Sequence, residues 1–415
     1  MNSKWKIMTG VSILIALMIS GCDYKAEPNL YDPNEKGATT PDIVSITPDS
    51  NFSAEDITFA GEGVVKIDGH YFSNEKSFNI AYFDGVTGKV LDATETSLRV
   101  KVPYVIGDSV NVKVSVQDAF NFGQYGSPLP IMAADVEIGG FDEYTLSMFS
   151  VTADNDENIF VSTGTEVRMI APDSITTNSL HNSTIFSGIS SMKMGPDGYI
   201  YFIQATALSR FTPLGVSESL WFKILAKGAT DLDFASANEL YISTRSSGSP
   251  SFADIYLFKM DTGTYTAFPL FENMHTTSIR VYDGALYVAT NYIGTDSLAY
   301  KNAVWKCTIL GDSLSSPELY ANFDDYDASG DTKISAITFS EIGVLYIGTT
   351  SGPALLKYEN GNYITVYNDI LTGPTKSFVW GNGTYLYMVR LASANGTQRV
   401  VRVDLREEGA LYFGR

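Results

Sequence analysis

The sequence contains few of the residues that bind transition metals or form disulfides. There are two cysteines, Cys22 and Cys307, and three histidines, His70, His181 and His275, in 415 residues. The histidines lie far apart and show none of the ligand spacings of zinc sites. A Gly-x-Ser-x-Gly nucleophile motif and a glycine-rich phosphate loop are also missing. These absences argue against zinc, common hydrolase and nucleotide-binding chemistry.

Positive charge is scarce as well. Lysine and arginine number 28 against 47 acidic residues, which gives a formal net charge of −19. Phosphate binding requires clustered lysine and arginine, so we expect no nucleic-acid partner. Hydrophobic residues make up 44% of the chain and aromatic residues 13%, a composition that supports a large core and favours β-structure. A neutral ligand or a protein partner fits this composition.

The N-terminal residues have the pattern of a targeting segment. Lys4 and Lys6 precede an apolar run from Ile7 to Ile19, which is too short to span a bilayer comfortably. The run ends in Ile19-Ser20-Gly21-Cys22, which resembles the bacterial lipobox. In a lipobox the cysteine thiol receives diacylglycerol, so the resemblance implies a signal peptide over residues 1–22 and lipidation of Cys22. An ordinary signal peptide is the alternative.

A polar stretch over residues 23–40 follows, rich in proline, asparagine, glycine and acidic residues. Such a composition keeps a segment from folding alone, and we interpret it as a flexible tether. Asp23, Lys25 and Glu27 loosely match the export signal of Bacteroides-type surface lipoproteins. We therefore expect a protein that is lipid-anchored in the outer membrane and exposed at the cell surface.

Residues 41–133 show short strands separated by turns. Strict apolar–polar alternation from Val110 to Val116 is typical of a half-buried strand, and the strand spacing favours a β-sandwich. The segment resembles the IPT/TIG family of immunoglobulin-like domains in three places: Ile43 to Pro48, Ile67 to Phe72, and Val102-Pro103. Such domains mostly serve as spacers, and direct ligand binding is the alternative.

Residues 134–415 contain a sixfold internal repeat. An apolar run with an aromatic centre recurs at intervals of roughly 40–60 residues, with centres at Phe160, Tyr201, Tyr241, Tyr287, Tyr346 and Tyr387. Four strands in each repeat are the signature of a propeller blade. The repeats resemble NHL-type six-bladed β-propellers. We expect Leu411 to Phe413 to form the last strand of blade 6, with Val136 to Ile138 as the alternative.

The loops between second and third strands supply the candidate ligand-binding residues. These loops are long in blades 3, 4 and 6, and aromatic faces and polar groups there suit sugar rings. The candidates are Arg245, Asn291, Tyr292, Asp296, Tyr300 and Arg390. Arg245 and Arg390 are expected to point towards the central axis. Variable surface loops without a ligand are the alternative interpretation.

One acidic segment resembles the first half of an EF-hand calcium loop. Asp325, Asp327, Ser329 and Asp331 place oxygens at alternate positions. Ala336 occupies the twelfth position, where an EF-hand has a bidentate acid. A structural calcium site and a solvated acidic loop are the two interpretations, and no other cofactor is expected.

The order of segments resembles accessory lipoproteins from nutrient-uptake loci of Bacteroides-type bacteria. The resemblance implies an all-β, non-catalytic protein that binds a glycan or a peptide beside a SusC/SusD-type transporter. We expect a glycan ligand, since the loops carry aromatic residues. A protein-interaction scaffold in an outer-membrane complex and a propeller hydrolase or lyase are the alternatives.

Overall fold

Strands dominate the computed structural model, which describes residues 37–49, 58–140, 147–164, 166–175, 177–182, 188–214, 217–223, 228–245, 254–294, 301–371, 373–391 and 398–414. Within these ranges the fold is all-β, with short 3-10 turns at Lys76–Phe78 and Phe323–Asp325. No helix in the described residues is long and apolar enough to cross a membrane.

The first part of the chain forms an immunoglobulin-like β-sandwich. Its strands are β1 (Asp42–Pro48), β2 (Thr58–Phe59), β3 (Val64–His70), β4 (Asn79–Phe83), β5 (Val86–Thr87), β6 (Lys89–Ala93), β7 (Ser97–Lys101), β8 (Gly107–Val110), β9 (Val112–Val116), β10 (Gly123–Gln124) and β11 (Leu129–Met132). They form the sheets β1-β3-β7-β6, β10-β9-β4-β5 and β2-β11-β8. In β9, Val112, Val114 and Val116 are buried while Lys113 is exposed, which confirms the predicted alternation.

A short strand, β12 (Asp135–Ile138), leads into six further sheets. The first three hold β13 (Met148–Ala153), β14 (Ile159–Thr163), β15 (Glu166–Ile170) and β16 (Thr177–Asn182); β17 (Ile189–Met194), β18 (Ile200–Gln204), β19 (Ala207–Phe211) and β20 (Ser217–Lys223); and β21 (Ala229–Ser236), β22 (Glu239–Thr244), β23 (Ile255–Lys259) and β24 (Tyr265–Phe268).

The other three sheets complete a six-bladed propeller. They hold β25 (Met274–Tyr282), β26 (Ala285–Tyr292), β27 (Asn302–Leu310), β28 (Ser313–Leu314) and β29 (Glu318–Asn322); β30 (Ile334–Phe339), β31 (Leu345–Thr349), β32 (Leu355–Glu359) and β33 (Asn362–Thr365); and β34 (Thr375–Trp380), β35 (Tyr385–Leu391) and β36 (Gln398–Asp404). The aromatic centre of every second strand is buried, which confirms the repeat as the source of the propeller core.

The ring is closed by a strand from the other end of the propeller sequence. β12 pairs antiparallel with β36, from Asp135 opposite Val403 to Ile138 opposite Val400. The predicted last strand, Leu411 to Phe413, is wrong, and the alternative involving Val136 to Ile138 is confirmed. The physical reason is that only Tyr412 of that triplet is buried, whereas Leu411 is 83% exposed.

The C-terminal segment, which includes Ala410 to Phe413, instead crosses one face of the ring. At this face the inner strands end, which are the first strands of the six blades. The amide of Ala410 donates to the Phe339 carbonyl at 3.0 Å. The Arg280 guanidinium donates to the Ala410 carbonyl at 3.2 Å and lies 4.8 Å from the Tyr412 ring centroid. The segment therefore covers the central axis on the face opposite the candidate loops.

Arg280 belongs to a deeply buried ion pair. Its side chain lies 2.9 Å from the Asp233 carboxylate, and the two residues are 1% and 0% exposed. The same carboxylate accepts a hydrogen bond from the Val281 amide at 2.8 Å. The pair joins the inner strands β21 and β25 and, through the Ala410 carbonyl, the C-terminal segment.

The six inner strands share one irregularity. Each has a register shift near its first residue, opposite the end of the second strand of its blade. A bulge of this kind adds one residue to one strand and re-aims its side chain. The added residues are Phe149, Ser190, Thr230, Thr277, Ser335 and Lys376.

Candidate functional site

We call the face of the propeller that carries the loops between second and third strands the loop face. Two of the predicted ligand-binding residues, Arg245 and Tyr292, lie on it. Arg245 is exposed at the end of β22 and forms an isolated bridge with His275 of β25. The neighbouring residue, Met274, pairs with Tyr292 at the end of β26. Arg245 and Tyr292 therefore flank the junction of blades 3 and 4, with His275 between them.

The His275 imidazole has an unusual environment. Its Nδ1 atom is buried and makes no hydrogen bond with the described residues. Burial lowers the pKa of His275, and the positive charges of Arg245 and Lys333 lower the pKa further. These effects favour the neutral form of the imidazole, which can accept or donate a hydrogen bond without adding charge to the loop face.

Asn291, in contrast, has a structural role. It lies inside the pairing of β26 with β27 rather than in a loop, opposite Asn302. Its amide nitrogen donates to the Ile334 carbonyl at 2.9 Å, and its amide oxygen accepts from the Ile334 amide at 3.1 Å. Through these two hydrogen bonds the Asn291 side chain links blade 4 to blade 5. Asp296 and Tyr300, also predicted to bind ligand, lie outside the described residues.

Arg390 does not point towards the central axis, contrary to the expectation from its position in the repeat. Its guanidinium lies 3.6 Å from the carboxylate of Asp135 in the closing strand β12. Arg390 and Asp135 line a cleft between the sandwich and blade 6. Arg390 thus lines this cleft, whereas Tyr292 is not among the described residues that line it.

We call this space the interdomain cleft; its volume is about 730 Å³. The residues that line it are Gly61, Thr87, Lys89, Lys101, Val102, Pro103, Tyr104, Asp135, Glu137, Asp369, Ile370, Arg390, Arg399 and Val401. This volume lies within the usual range of small-molecule sites, roughly 300–1,000 Å³.

A network of charged groups fixes the two walls of the cleft to each other. The Lys101 ammonium of β7 lies 2.5 Å from the Asp369 carboxylate and 3.2 Å from the Glu62 carboxylate. Glu62 also accepts a hydrogen bond from the backbone amide of Asp369 at 2.7 Å. The contacts of Lys101 and Glu62 with Asp369 cross between the sandwich and the propeller and bridge the two walls of the cleft.

Tyr104 supplies an aromatic surface in this cleft and is 57% exposed. Its neighbour Gly61 has a φ of +76°, and a Cβ atom there would lie 2.9 Å from Ile370 and 3.2 Å from the Tyr104 ring. A larger residue would force these side chains apart, so glycine preserves the close approach of the two walls.

Opposite charges are arranged along the blade 6 wall. Glu137 pairs with Arg399, as Asp135 does with Arg390. One oxygen of Asp135 is buried and has no hydrogen-bond partner among the described residues. Burial raises the pKa of Asp135, while the charge of Arg390 opposes this shift. The wall therefore offers both donors and acceptors to a hydroxyl-rich ligand.

The acidic loop of blade 4 is stabilised by its own hydrogen bonds. One Asp327 oxygen accepts from the Ser329 hydroxyl at 2.6 Å and amide at 3.0 Å, and the other accepts from the Thr332 amide at 2.7 Å. These bonds hold the pKa of Asp327 well below its usual range. Asp325 accepts from an asparagine amide at 2.8 Å, and the backbone amide of Asp331 donates to the Ser329 hydroxyl.

Both interpretations of this loop, a structural calcium site and a solvated acidic loop, stay predictions. In the part of the chain that the structure describes, no three His, Cys, Asp or Glu side chains converge as they would around a metal ion. The predicted lipidation site, Cys22, lies outside the described residues.

Sequence reasoning missed Tyr104, Asp135 and Glu137 as candidate site residues. Tyr104 directly follows the Val-Pro motif, which indicates the domain family but not a ligand. The two acids lie on β12, and the sequence does not show that this strand pairs with β36 of blade 6. Alternation in β12 places Asp135 and Glu137 on one face, which is the only signal in the sequence that associates them.

Comparison with known proteins agrees with this architecture. Residues 41–129 match the model of the IPT/TIG domain family. No curated protein matches the chain. An auxiliary nutrient binding protein from Bacteroides thetaiotaomicron VPI-5482 is similar in structure, with a TM-score of 0.53, 10% identity, and coverage of 90% of this chain and 98% of that chain.

A putative phosphatase from the same organism is similar to an equal degree, with a TM-score of 0.53, 11% identity, and coverage of 88% of this chain and 98% of that chain. At such identities the likeness shows a shared fold, and the two names differ in kind. The comparisons establish an all-β chain with an IPT/TIG domain followed by a six-bladed β-propeller.

Proposed function

We propose that this protein is a non-catalytic, lipid-anchored binding protein of the bacterial cell surface, and that its ligand is a nutrient glycan. The proposal includes a signal peptide over residues 1–22, a tether over residues 23–40, a sandwich over residues 41–133 and a propeller over residues 134–415. It places the protein beside a SusC/SusD-type uptake system in the outer membrane.

The observation that carries the proposal is the chemistry of the interdomain cleft. Sugars present apolar ring faces and many hydroxyl groups. Tyr104 offers a surface for stacking against a ring face, while Arg390 and Asp135 offer a donor and an acceptor for hydroxyl groups. The nutrient-binding name of one structural neighbour supports the same class of function. Under this proposal the sandwich forms one wall of the site as well as acting as a spacer.

The cleft can be tested by substitution of its two walls. We expect Tyr104→Ala and Arg390→Ala each to weaken glycan binding by ~1–3 kcal/mol, the usual range for an aromatic or charged hot spot. Screening a glycan array with the protein from residue 23 onward would identify the ligand. Titration calorimetry on each variant would then measure the loss of affinity.

Tyr292→Ala is the matched control, since it removes an aromatic ring from the loop face instead. Wild-type affinity in Tyr104→Ala combined with weak binding by Tyr292→Ala would move the site to the junction of blades 3 and 4. Glycan arrays without any signal would favour a protein-interaction scaffold. Release of shorter sugars from the bound glycan would contradict the non-catalytic assignment.

The anchor has a separate test. Cys22→Ala should abolish fatty-acid labelling, because the thiol that receives the lipid is gone. Cys307→Ala is the control: Cys307 is buried, and burial raises the pKa of its thiol to about 12, so this residue is unreactive. Labelling that persists in Cys22→Ala would contradict the lipoprotein assignment.

A further inference from the structure

The bulges of the inner strands surround a small cavity on the propeller axis. Its volume is about 70 Å³, enough for a small ion or a single functional group but not for a sugar ring. Five of the six added residues line it: Ser190, Thr230, Thr277, Ser335 and Lys376. Four of these added residues carry a hydroxyl and one is a lysine. The hydroxyls of Ser190 and Thr277 donate to the Ala229 and Ala289 carbonyls, and the Thr230 hydroxyl bonds the Ser243 hydroxyl. The sixth added residue, Phe149, lies beside the ammonium of Lys376, which is 4.3 Å from its ring centroid.

Lys376 has no counter-charge in this position. Its ammonium donates to the Met148 carbonyl at 3.1 Å, and no carboxylate of the described residues lies within 4.0 Å of it. Burial lowers the pKa of Lys376. Partly burying an unpaired charge costs free energy unless an opposite charge approaches it.

Among the described residues that line the cavity, the one acid is Asp231, and both of its carboxylate oxygens accept hydrogen bonds from other groups. One oxygen of Asp231 accepts from the Ser191 hydroxyl at 2.6 Å and the other from the Ser278 hydroxyl at 2.8 Å. The backbone amides of Leu232 and Ile279 also donate to it, each at 2.9 Å. Asp231 thus ties blades 2, 3 and 4 together at the axis rather than neutralising a lysine.

Lys193 and Ser335 add two further features to the lining of the axial cavity. Lys193 also lines the cavity, and its ammonium lies 5.7 Å from the Tyr412 ring centroid in the C-terminal segment. The Ser335 hydroxyl oxygen is buried and meets no hydrogen-bond partner in the described part of the chain. Among the described residues that line the axial cavity, two are lysines and one is an acid, in a chain whose net charge is −19.

We propose that the axial cavity binds a single carboxylate group, carried by a small acid or by a larger acidic ligand on the loop face. Lys376 supplies the charge, and Ser335 of the neighbouring blade donates a hydrogen bond to the carboxylate. The C-terminal segment covers the opposite end of the axis, so the group enters from the loop face. This site is independent of the interdomain cleft and of the glycan proposal.

Sodium acetate is a direct probe of this site. The melting temperature of the protein from residue 23 onward would be compared in acetate and in chloride at equal ionic strength. At about ten times its dissociation constant, acetate should raise the melting temperature by roughly 2–4 °C, because it binds the folded state alone. Lys376→Met should remove the part of this rise that exceeds the general salt effect of acetate. Lys113→Met, which changes an exposed lysine of β9, should keep the full rise.

Ser335→Ala provides a second variant that leaves the charge in place, and it should reduce the acetate response at a given concentration. Any rise that remains in Lys376→Met measures the general salt effect of acetate. Equal responses in the parent and Lys376→Met would overturn the proposal and leave Lys376 a structural role. A response to sulfate or phosphate without one to acetate would overturn the assignment of a carboxylate.

Discussion

Asp233→Ala is expected to lower the free energy of unfolding by about 3–5 kcal/mol, since it leaves a buried guanidinium without its partner. Arg280 is 1% exposed and has no access to water that could replace the carboxylate. The substitution also removes the acceptor of the Val281 amide. Urea denaturation monitored by tryptophan fluorescence would measure the loss.

Two further variants separate charge burial from loss of packing. Replacing the pair together, as Asp233→Leu with Arg280→Met, should recover most of the lost stability, because apolar residues of similar volume avoid the desolvation of two charges. Glu359→Ala removes a half-exposed partner of Lys357 and should change the free energy of unfolding by less than about 1 kcal/mol. A loss below 1 kcal/mol in Asp233→Ala would show that water reaches Arg280.

Ile138→Asp is expected to prevent stable closure of the propeller. Ile138 is 1% exposed and packs in one cluster with Met148, Val389 and Val400, which belong to blades 1 and 6. A carboxylate buried in this apolar cluster should cost at least about 4 kcal/mol. The melting temperature of the propeller should therefore fall by about 10 °C or more, as measured by circular dichroism.

Val136→Asp is the matched control on the same strand. Val136 is 37% exposed and lies opposite Arg402 of β36, so the new carboxylate remains in water and faces a positive charge. Its effect should stay within about 0.5 kcal/mol. Equal effects of the two substitutions would mean that β12 does not contribute to the core.

The architecture was predictable because the same physical requirement recurs in each blade. A second strand must bury an aromatic side chain between neighbouring blades, so residues such as Tyr201 and Tyr346 mark the repeat in the sequence. The same reasoning failed for Leu411 to Phe413. The apolar character of these three residues does not show which strand they would pair with. In the structure β12 pairs with the outer edge of blade 6, so that edge is not open to them.

The candidate site was harder to predict because side-chain direction depends on register. Successive residues of a strand point to opposite faces, so locating Arg390 at the end of a second strand did not determine which surface it joins. Asn291 was assigned to a loop because the length of the pairing between β26 and β27 is invisible in the sequence. The bulge at Lys376 appears only when two strands are aligned, and the interdomain cleft appears only when two domains meet.

Ring closure by β12 also has a mechanical consequence. If the protein is tethered at its N-terminus while a ligand pulls on the propeller, tension passes through the sandwich and reaches β12 before any other propeller strand. β12 is joined to β36 by only four residue pairs, and forced unfolding is governed by the rate at which such a contact breaks. The Lys101–Asp369 contact bridges sandwich and propeller beside it and carries part of the same force. Under such tension, the strand that completes the ring would be the first propeller strand to be extended.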